Sequence, residues 1–285
     1  ECTADRGKIV RTLILHDPET GLEIRAEATC YTDSGGVDWI LHFTNRGTRD
    51  TPILELLQAV DITVHPAQTN TAILHRLQGS TSVGQDWLPL ADAMAPGAAI
   101  EFGPSDEQAN SSSGACPFFN LQWDGGGVIT AIGWSAPWRA KVMRRADGVL
   151  QLQAGMQQTR LKLHPGETIR SPRILQYHWL GDDPMDACNR FRQVMFAHIM
   201  PHRHGRVVTP PIAHTSVLFW EENTCTETSV LSHLAAIRGA GFEVFWLDAY
   251  WIRDGYARGT GHYGFPIQRV EPPDRFPHGL RPIGV

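Results

Sequence analysis

Short segments in which apolar and polar residues alternate, separated by turn signals, run through the first two-thirds of this 285-residue chain. The clearest are residues 8–16, 22–31 and 37–44, with turns at Asp17–Gly21 and Asp33–Gly36. Alternation with a period of two over such lengths indicates half-buried β-strands. The pattern predicts about eleven strands before residue 175, so we expect an antiparallel sandwich of two broad sheets rather than a minimal seven-stranded module.

The character of the sequence changes near Pro172, where alternation gives way to helical periodicity. Residues 184–200 have apolar positions at helical spacing. Asp183 is a favourable N-cap, Pro184 suits the first helical position, and Pro201 ends the helix. The sequence therefore predicts a β-sandwich domain, a helical connector and the start of an α/β domain, at residues 1–180, 181–208 and 209–285.

The third part reads as a strand, a helix and a second strand. Residues 215–220 form a short apolar run, residues 226–238 have helical spacing that ends at two glycines, and residues 244–251 begin as another apolar run. This order predicts a parallel pair of strands, the second buried on both faces. Ligands of parallel sheets bind at the carboxyl ends of the strands, where Trp220 and Asp248 lie.

Asp248 is the principal candidate site residue. A carboxylate that directly follows a buried strand must be hydrogen-bonded or face a polar cavity, which suggests a binding role for Asp248. The alternative to a binding role is that Asp248 only forms the turn at the strand end. Trp220, Trp246 and Trp251 offer aromatic surfaces of the kind that stack on sugar rings. The strand period places Trp246 and Asp248 on the same side and Leu247 on the other.

Composition excludes several classes of partner and cofactor. The net charge of −5 gives no electrostatic basis for binding nucleic acid or an anionic membrane, and no apolar run is long enough to form a membrane helix. The five cysteines are scattered without the spacing of a disulfide framework or a zinc site. The compartment cannot be read from a chain that opens at Glu1 without a leader pattern.

Two motifs resemble cofactor sites, and we expect neither a metal nor another cofactor. His198, His202 and His204 are close in sequence, but Pro201 interrupts the helical register that would align them. Histidines at a helix end are more typical of surface residues that complement the helix dipole. The two glycines at 239 and 241 follow a helix, whereas a dinucleotide fingerprint follows a strand.

Several motifs, in this order and spacing, resemble glycoside hydrolase family 36, the α-galactosidase or melibiase family. The segment Leu247-Asp248-Ala249-Tyr250-Trp251 is similar to the family motif that ends a barrel strand. The other segments that carry the resemblance are Thr51–Glu55, Pro117–Asn120, Gly133–Ser135, Phe219–Glu221, Gly261–Tyr263 and Phe276–Leu280.

The resemblance implies a fold and a reaction. The fold would be multidomain β and α/β: an antiparallel β-supersandwich, a helical connector and the first part of an incomplete (β/α)8 barrel. The reaction would be retaining hydrolysis of α-linked galactosides by two carboxylates about 5 Å apart. Both carboxylates are expected beyond residue 285, so the chain would contain no catalytic residue and would be inactive alone.

The resemblance also implies roles and alternatives. Asp248, Trp220 and Trp251 would bind an α-linked oligosaccharide or glycoside, and apolar strand edges would favour a homo-oligomer. Ala249 and Tyr250 replace the second aspartate and the glycine of the family motif, so a relative that hydrolyses another α-linked sugar is one alternative. The other is a non-catalytic carbohydrate-binding or assembly module whose functional part is the sandwich.

Overall fold

The structure is a computed structural model that describes residues 2–5, 7–67, 70–105, 110–215, 224–248, 251 and 271–284. The chain divides into two units, Glu1–Met200 and Pro201–Val285. The division that the sequence predicted, at residues 1–180, 181–208 and 209–285, stays a prediction.

The described part of the first unit contains sixteen strands. They are β1 (Cys2–Asp5), β2 (Lys8–His16), β3 (Leu22–Tyr31), β4 (Gly36–Asn45), β5 (Leu54–Glu55), β6 (Gln58–Val64), β7 (Ala72–Gln78), β8 (Pro89–Ala93), β9 (Ala99–Phe102), β10 (Ala115–Trp123), β11 (Gly126–Gly133), β12 (Trp138–Arg144), β13 (Leu150–Met156), β14 (Arg160–Leu161), β15 (Thr168–Arg170) and β16 (Arg173–Leu180).

These strands form two broad sheets and one small pair. The large sheet has the order β1-β2-β3-β4-β16-β11-β10-β7-β8, with β15 also paired to β4. The second sheet has the order β6-β13-β12-β9, and β5 pairs with β14. Every pairing in this unit among the described residues is antiparallel, which confirms the predicted antiparallel sandwich.

The expected number of strands was too low. Strands of two or three residues, such as β5, β14 and β15, are too short to show alternation. Leu56 adopts a φ of 53° and separates β5 from β6. A left-handed residue breaks an extended strand, because it turns the backbone out of the pleat.

The main core lies between the two sheets. Leu74 and Leu121 from the large sheet and Trp138 and Leu152 from the small one are fully buried within it. Strand β12 shows how sequence dictates this arrangement, because its residues alternate strictly between buried and half-buried from Trp138 onward. Trp138 also donates a hydrogen bond of 2.8 Å from Nε1 to the carbonyl oxygen of Ser111.

Helix α1 (Pro184–Val194) covers the outer face of the large sheet and continues as one π-helical turn, Met195–Ile199. The predicted helix start is confirmed, because the Asp183 side chain accepts a hydrogen bond of 2.8 Å from the Met185 backbone N–H. The buried face of α1 packs in a second apolar cluster with Tyr177 and Trp179 of β16. The predicted connector helix is therefore part of the first unit.

The described part of the second unit contains a parallel strand pair, an α-helix and shorter elements. They are β17 (His202–Arg203), β18 (Arg206–Val207), β19 (Ala213–Thr215), α2 (Glu227–Ile237), β20 (Val244–Trp246) and a 3₁₀ helix (Arg281–Ile283). Strands β19 and β20 pair in parallel, which is the pairing that the strand–helix–strand pattern predicted. The first strand was predicted at residues 215–220, which lie outside the described residues except for Thr215. Within the described ranges, no helix is long and apolar enough to cross a membrane.

The second strand of this pair is buried on one face only, which corrects the sequence-based expectation. Val244 is 43% exposed and Trp246 63% exposed. Phe245 and Leu247 instead pack against the apolar cluster of this unit. Among the described residues α2 supplies apolar contacts to one side of the strand, so alternate residues stay in solvent.

Candidate functional site

The candidate site lies at the carboxyl end of the parallel strand pair. Thr215, the last residue of β19, is in register with Trp246, the last residue of β20. Asp248 follows two residues later and is exposed. Trp246 is exposed and Leu247 packs inward, so Asp248 and Trp246 share the face that the strand period predicted.

An apolar cluster packs against the residues at this strand end. Its buried members are Cys225, Val230 and Phe276, which we call the anchor cluster. Leu247 and Trp251, on either side of Asp248 in sequence, are half-buried and pack against it. The backbone around Asp248 is therefore positioned by apolar contacts on both sides.

Local sequence explains why helix α2 begins where it does. The Thr226 side chain accepts a hydrogen bond of 3.2 Å from the Ser229 backbone N–H, and the Ser229 hydroxyl accepts one of 3.0 Å from the Thr226 N–H. This reciprocal capping box satisfies two backbone donors that a helix start otherwise leaves unpaired. After the helix, Gly239 and Gly241 adopt φ values of 82° and 89°, which turn the chain back toward β20.

Hydrogen bonds, in addition to the apolar packing of Phe276, attach the Phe276–Leu280 motif to the start of α2. The Glu227 carboxylate accepts a hydrogen bond of 3.0 Å from the His278 backbone N–H and contacts His278 Nδ1 at 2.9 Å. These hydrogen bonds hold the pKa of Glu227 below its usual value. Arg275 Nη1 donates to the carbonyl oxygen of Cys225 at 3.1 Å. This motif thus has a positioning role in the structure.

Sequence reasoning missed Glu227 and Arg275. Each contact joins residues about fifty positions apart, 51 for Glu227 with His278 and 50 for Arg275 with Cys225, and no local pattern marks such pairs. One available signal was an acidic residue in the first turn of a helix, where carboxylates are favoured and can accept backbone hydrogen bonds.

The structure locates two of the three predicted substrate-binding residues. Asp248 is exposed at the strand end, and Trp251 is half-buried against the anchor cluster. Trp220 lies outside the described residues, as do Ala249 and Tyr250 of the family motif. Substrate binding by Asp248, Trp220 and Trp251 stays a prediction.

The three histidines near the end of α1 have separate environments. His198 Nε2 contacts Asp33 Oδ1 at 2.9 Å, and its ring stacks on Tyr31 with centroids 4.2 Å apart. His198 lies in the last turn of the helix, but its side chain is only 9% exposed, so it is less exposed than the expected surface residue. His202 and His204 are exposed, as expected. His202 lies in β17, and His204 has a φ of 53° in the turn that follows. Among the described residues, no group of three or more His, Cys, Asp or Glu side chains could hold a metal ion.

A pair of histidines joins β19 to α2. His214 Nε2 lies 2.7 Å from His233 Nε2, and the two rings stack with centroids 4.9 Å apart. At this distance one ring nitrogen donates a hydrogen bond and the other accepts it. The pair fixes the helix against the first strand of the candidate site.

Comparisons with known proteins connect this fold to one group of enzymes. No protein-family model matches the chain. The chain is 24% identical over 154 residues to alpha-galactosidase C from Emericella nidulans, a match that covers 53% of this chain and 20% of that protein. The chain thus spans about a fifth of the length of this curated relative.

Solved structures match the fold over nearly the whole chain. A GH36 α-galactosidase variant from Geobacillus stearothermophilus in complex with raffinose has a TM-score of 0.75 and 15% identity, over 98% of this chain and 38% of that one. The α-galactosidase from Lactobacillus brevis has a TM-score of 0.74 and 15% identity, over 96% of this chain and 36% of that one. The resemblance to glycoside hydrolase family 36 that the motifs indicated is confirmed, and the chain has the fold of the amino-terminal portion of those α-galactosidases.

Proposed function

We propose that this chain is the amino-terminal portion of an α-galactosidase-like retaining glycoside hydrolase that acts on α-linked galactosides. The observation that carries the proposal is an exposed carboxylate, Asp248, at the carboxyl end of a parallel strand in a chain with the fold of these enzymes. Related structures contain bound raffinose or stachyose, which supports α-linked oligosaccharides as the substrate class.

In this proposal the roles of the residues follow from their chemistry. An ionised aspartate only accepts hydrogen bonds, so Asp248 suits the hydroxyl groups of a sugar ring. Trp220 and Trp251 would form apolar walls for the same ring. Trp246, exposed on the same face as Asp248, offers a further aromatic surface.

The chemical step needs two further carboxylates. In retaining hydrolysis one carboxylate attacks the anomeric carbon while the other protonates the departing oxygen, and water then hydrolyses the glycosyl-enzyme intermediate. We assign Asp248 to neither role and place both groups outside these 285 residues. The 285-residue polypeptide assayed by itself should therefore have no glycosidase activity.

A homo-oligomer is part of the proposal. Strand β2 exposes three consecutive apolar side chains, Leu13, Ile14 and Leu15, each more than half exposed. Contiguous exposed apolar residues of this kind are typical of surfaces that contact another protein.

The test is an assay of the protein encoded by the complete gene on aryl α-galactosides, with Asp248→Asn as the variant. Loss of a charge-assisted acceptor that a bound sugar would cover costs about 1–3 kcal/mol, so kcat/KM should fall roughly 5- to 150-fold. Asp274→Asn is the matched control, because Asp274 is an exposed aspartate of the same unit in the turn before Phe276.

Two results would count against the proposal. Equal kcat/KM for Asp248→Asn and the control would remove Asp248 from the substrate site. A complete protein that hydrolyses no α-glycoside would instead favour a non-catalytic carbohydrate-binding module, and activity confined to another aryl α-glycoside would favour a relative with a different sugar specificity.

A further inference from the structure

The connection between β9 and β10 contains a sequence motif that has no part in the candidate site. Residues Asn110-Ser111-Ser112 form the one Asn-X-Ser/Thr tripeptide in the 285 residues. The residues two positions after the other asparagines carry no hydroxyl group, and they are Gly47, Ala72, Gln122, Phe191 and Cys225. A tripeptide of this kind, with any residue except proline in the middle, is the acceptor for N-linked glycosylation in secreted proteins.

Asn110 is exposed, as the modification requires. An N-linked oligosaccharide is bulky and hydrated, so the asparagine that carries it must lie at the surface. Asn45 shows the contrast, because it is fully buried and its Nδ2 donates hydrogen bonds of 2.8 Å to the carbonyl oxygens of Arg49 and Leu163. A sugar at Asn110 would extend into solvent.

The amide of Asn110 uses its oxygen, and not its nitrogen, to form the local turn. Oδ1 accepts a hydrogen bond of 3.2 Å from the Ser112 backbone N–H, which is an Asx turn within the tripeptide itself. The sugar would be attached to Nδ2. A glycosylated amide keeps its carbonyl oxygen as an acceptor, so the modification is compatible with this hydrogen bond.

The residues that follow Asn110 are fixed to the sandwich. The Ser111 carbonyl oxygen accepts a hydrogen bond of 2.8 Å from Trp138 Nε1. The Ser112 carbonyl oxygen accepts one of 2.8 Å from the Ser80 backbone N–H. Asn110 is therefore an exposed position next to a fixed segment, and a sugar on its side chain leaves these backbone contacts in place.

We propose that Asn110 is an N-linked glycosylation site, which is modified when the protein passes through a eukaryotic secretory pathway. In this reaction Asn110 Nδ2 attacks the anomeric carbon of an oligosaccharide that is linked to a lipid pyrophosphate, the co-reactant. The nitrogen–carbon bond forms as the carbon–oxygen bond to the pyrophosphate breaks. The pyrophosphate leaves with the bonding electrons, and Nδ2 gives up one proton.

The site is independent of the proposed hydrolase reaction. All the residues involved belong to the first unit. The proposal therefore adds a modification to the protein, and the failure of one proposal would leave the other standing.

The experiment measures the modification at Asn110 itself. A secretion signal directs the complete protein into the secretory pathway of yeast, and protein from the medium and from the cells is pooled, so that poorly folded molecules are measured as well. Peptide-N-glycosidase in water enriched in heavy oxygen then converts each glycosylated asparagine into a labelled aspartate. Mass spectrometry of chymotryptic peptides should find the label at Asn110 in most molecules. Asn70, which is exposed but lacks a hydroxyl two residues later, should carry none.

Three substitutions test the tripeptide. Ser112→Ala removes the required hydroxyl and should abolish the label at Asn110. Ser111→Ala is the matched control, because it changes the neighbouring serine and leaves the tripeptide intact. Ser112→Thr keeps a hydroxyl at the same position, and both of these variants should retain the label. The proposal is overturned if Asn110 of the wild-type chain carries no label, or if Ser112→Ala is labelled to the same extent as Ser111→Ala.

Discussion

Replacing Phe276 with alanine tests whether the anchor cluster positions the strand end that carries Asp248. Phe276 is 1% exposed, and Leu247 and Trp251 pack against the cluster that it forms with Cys225 and Val230. Truncating a buried phenylalanine to alanine costs about 3–5 kcal/mol, because apolar contact is lost and a cavity remains. This is a large share of the roughly 5–15 kcal/mol that keeps a domain folded.

Urea unfolding, followed by hydrogen exchange and mass spectrometry, measures this loss in each unit separately. With a denaturant slope of about 2 kcal/mol per molar, the midpoint of the second unit should fall by roughly 2 M. Peptides from α2 should lose protection at low urea. Peptides from β12 and β13 should keep theirs, because these strands belong to the first unit.

Trp246→Ala is the matched control, since it removes an aromatic ring that is 63% exposed in the same unit. A surface change of this kind usually alters the free energy of unfolding by less than about 0.5 kcal/mol. The reasoning is refuted if Phe276→Ala lowers the midpoint no further than Trp246→Ala, or if the peptides of the sandwich lose protection equally.

Two further predictions concern helix starts. Asp183→Ala should lower the free energy of unfolding of the first unit by about 1 kcal/mol through loss of the N-cap of α1. Asp186→Ala removes an exposed ion pair and a first-turn carboxylate but introduces the residue with the highest helix propensity, so it should cost less than about 0.5 kcal/mol; thermal unfolding compares the two variants. Hydrogen bonds from His278 lower the pKa of Glu227 in the folded protein below the unfolded value of 4.5. The ionised carboxylate therefore stabilises the second unit at pH values above 4.5, and this stabilisation is lost as the pH falls through the folded pKa. The difference in unfolding free energy between wild type and Glu227→Gln should therefore shrink as the pH falls below about 4.5, and a difference that stays constant down to pH 3 would contradict this.

Short-range sequence patterns correctly predicted the helix start at Asp183 and the extent of α2. The N-cap at Asp183 depends on hydrogen bonds over a few residues, as does the extent of α2, and both were predicted correctly. The strand period alone predicted that Trp246 and Asp248 share a face, but it did not predict that this face is exposed. The count of strands was wrong because strands of two or three residues carry no period.

The order of strands within the sheets could not be predicted from the sequence. Strand β16 pairs with β4 and β11, so residues near position 175 lie between segments from two distant parts of the chain. Such neighbours are selected by the packing of a common core, in which Ile174 of β16, Val128 of β11 and Leu152 of the opposite sheet are all buried. Periodicity identifies the buried face of each strand but does not name its neighbours.

The motifs that carry the family resemblance differ in what they do in this structure. Asp248 is exposed at a strand end, whereas Phe276 and His278 contact residues at the start of α2 or in its cluster. The second group therefore affects a ligand at Asp248 only through the position of the strand end. A misplacement of about 1 Å at a reacting group can cost about a hundredfold in rate. Loss of the anchor cluster should thus lower kcat/KM in the complete enzyme even though none of its three buried residues is assigned a contact with the sugar, and the defect should persist at low temperature, where the second unit stays folded. A kcat/KM that returns to the wild-type value at such a temperature would show that the loss comes from unfolding and not from the position of the strand end.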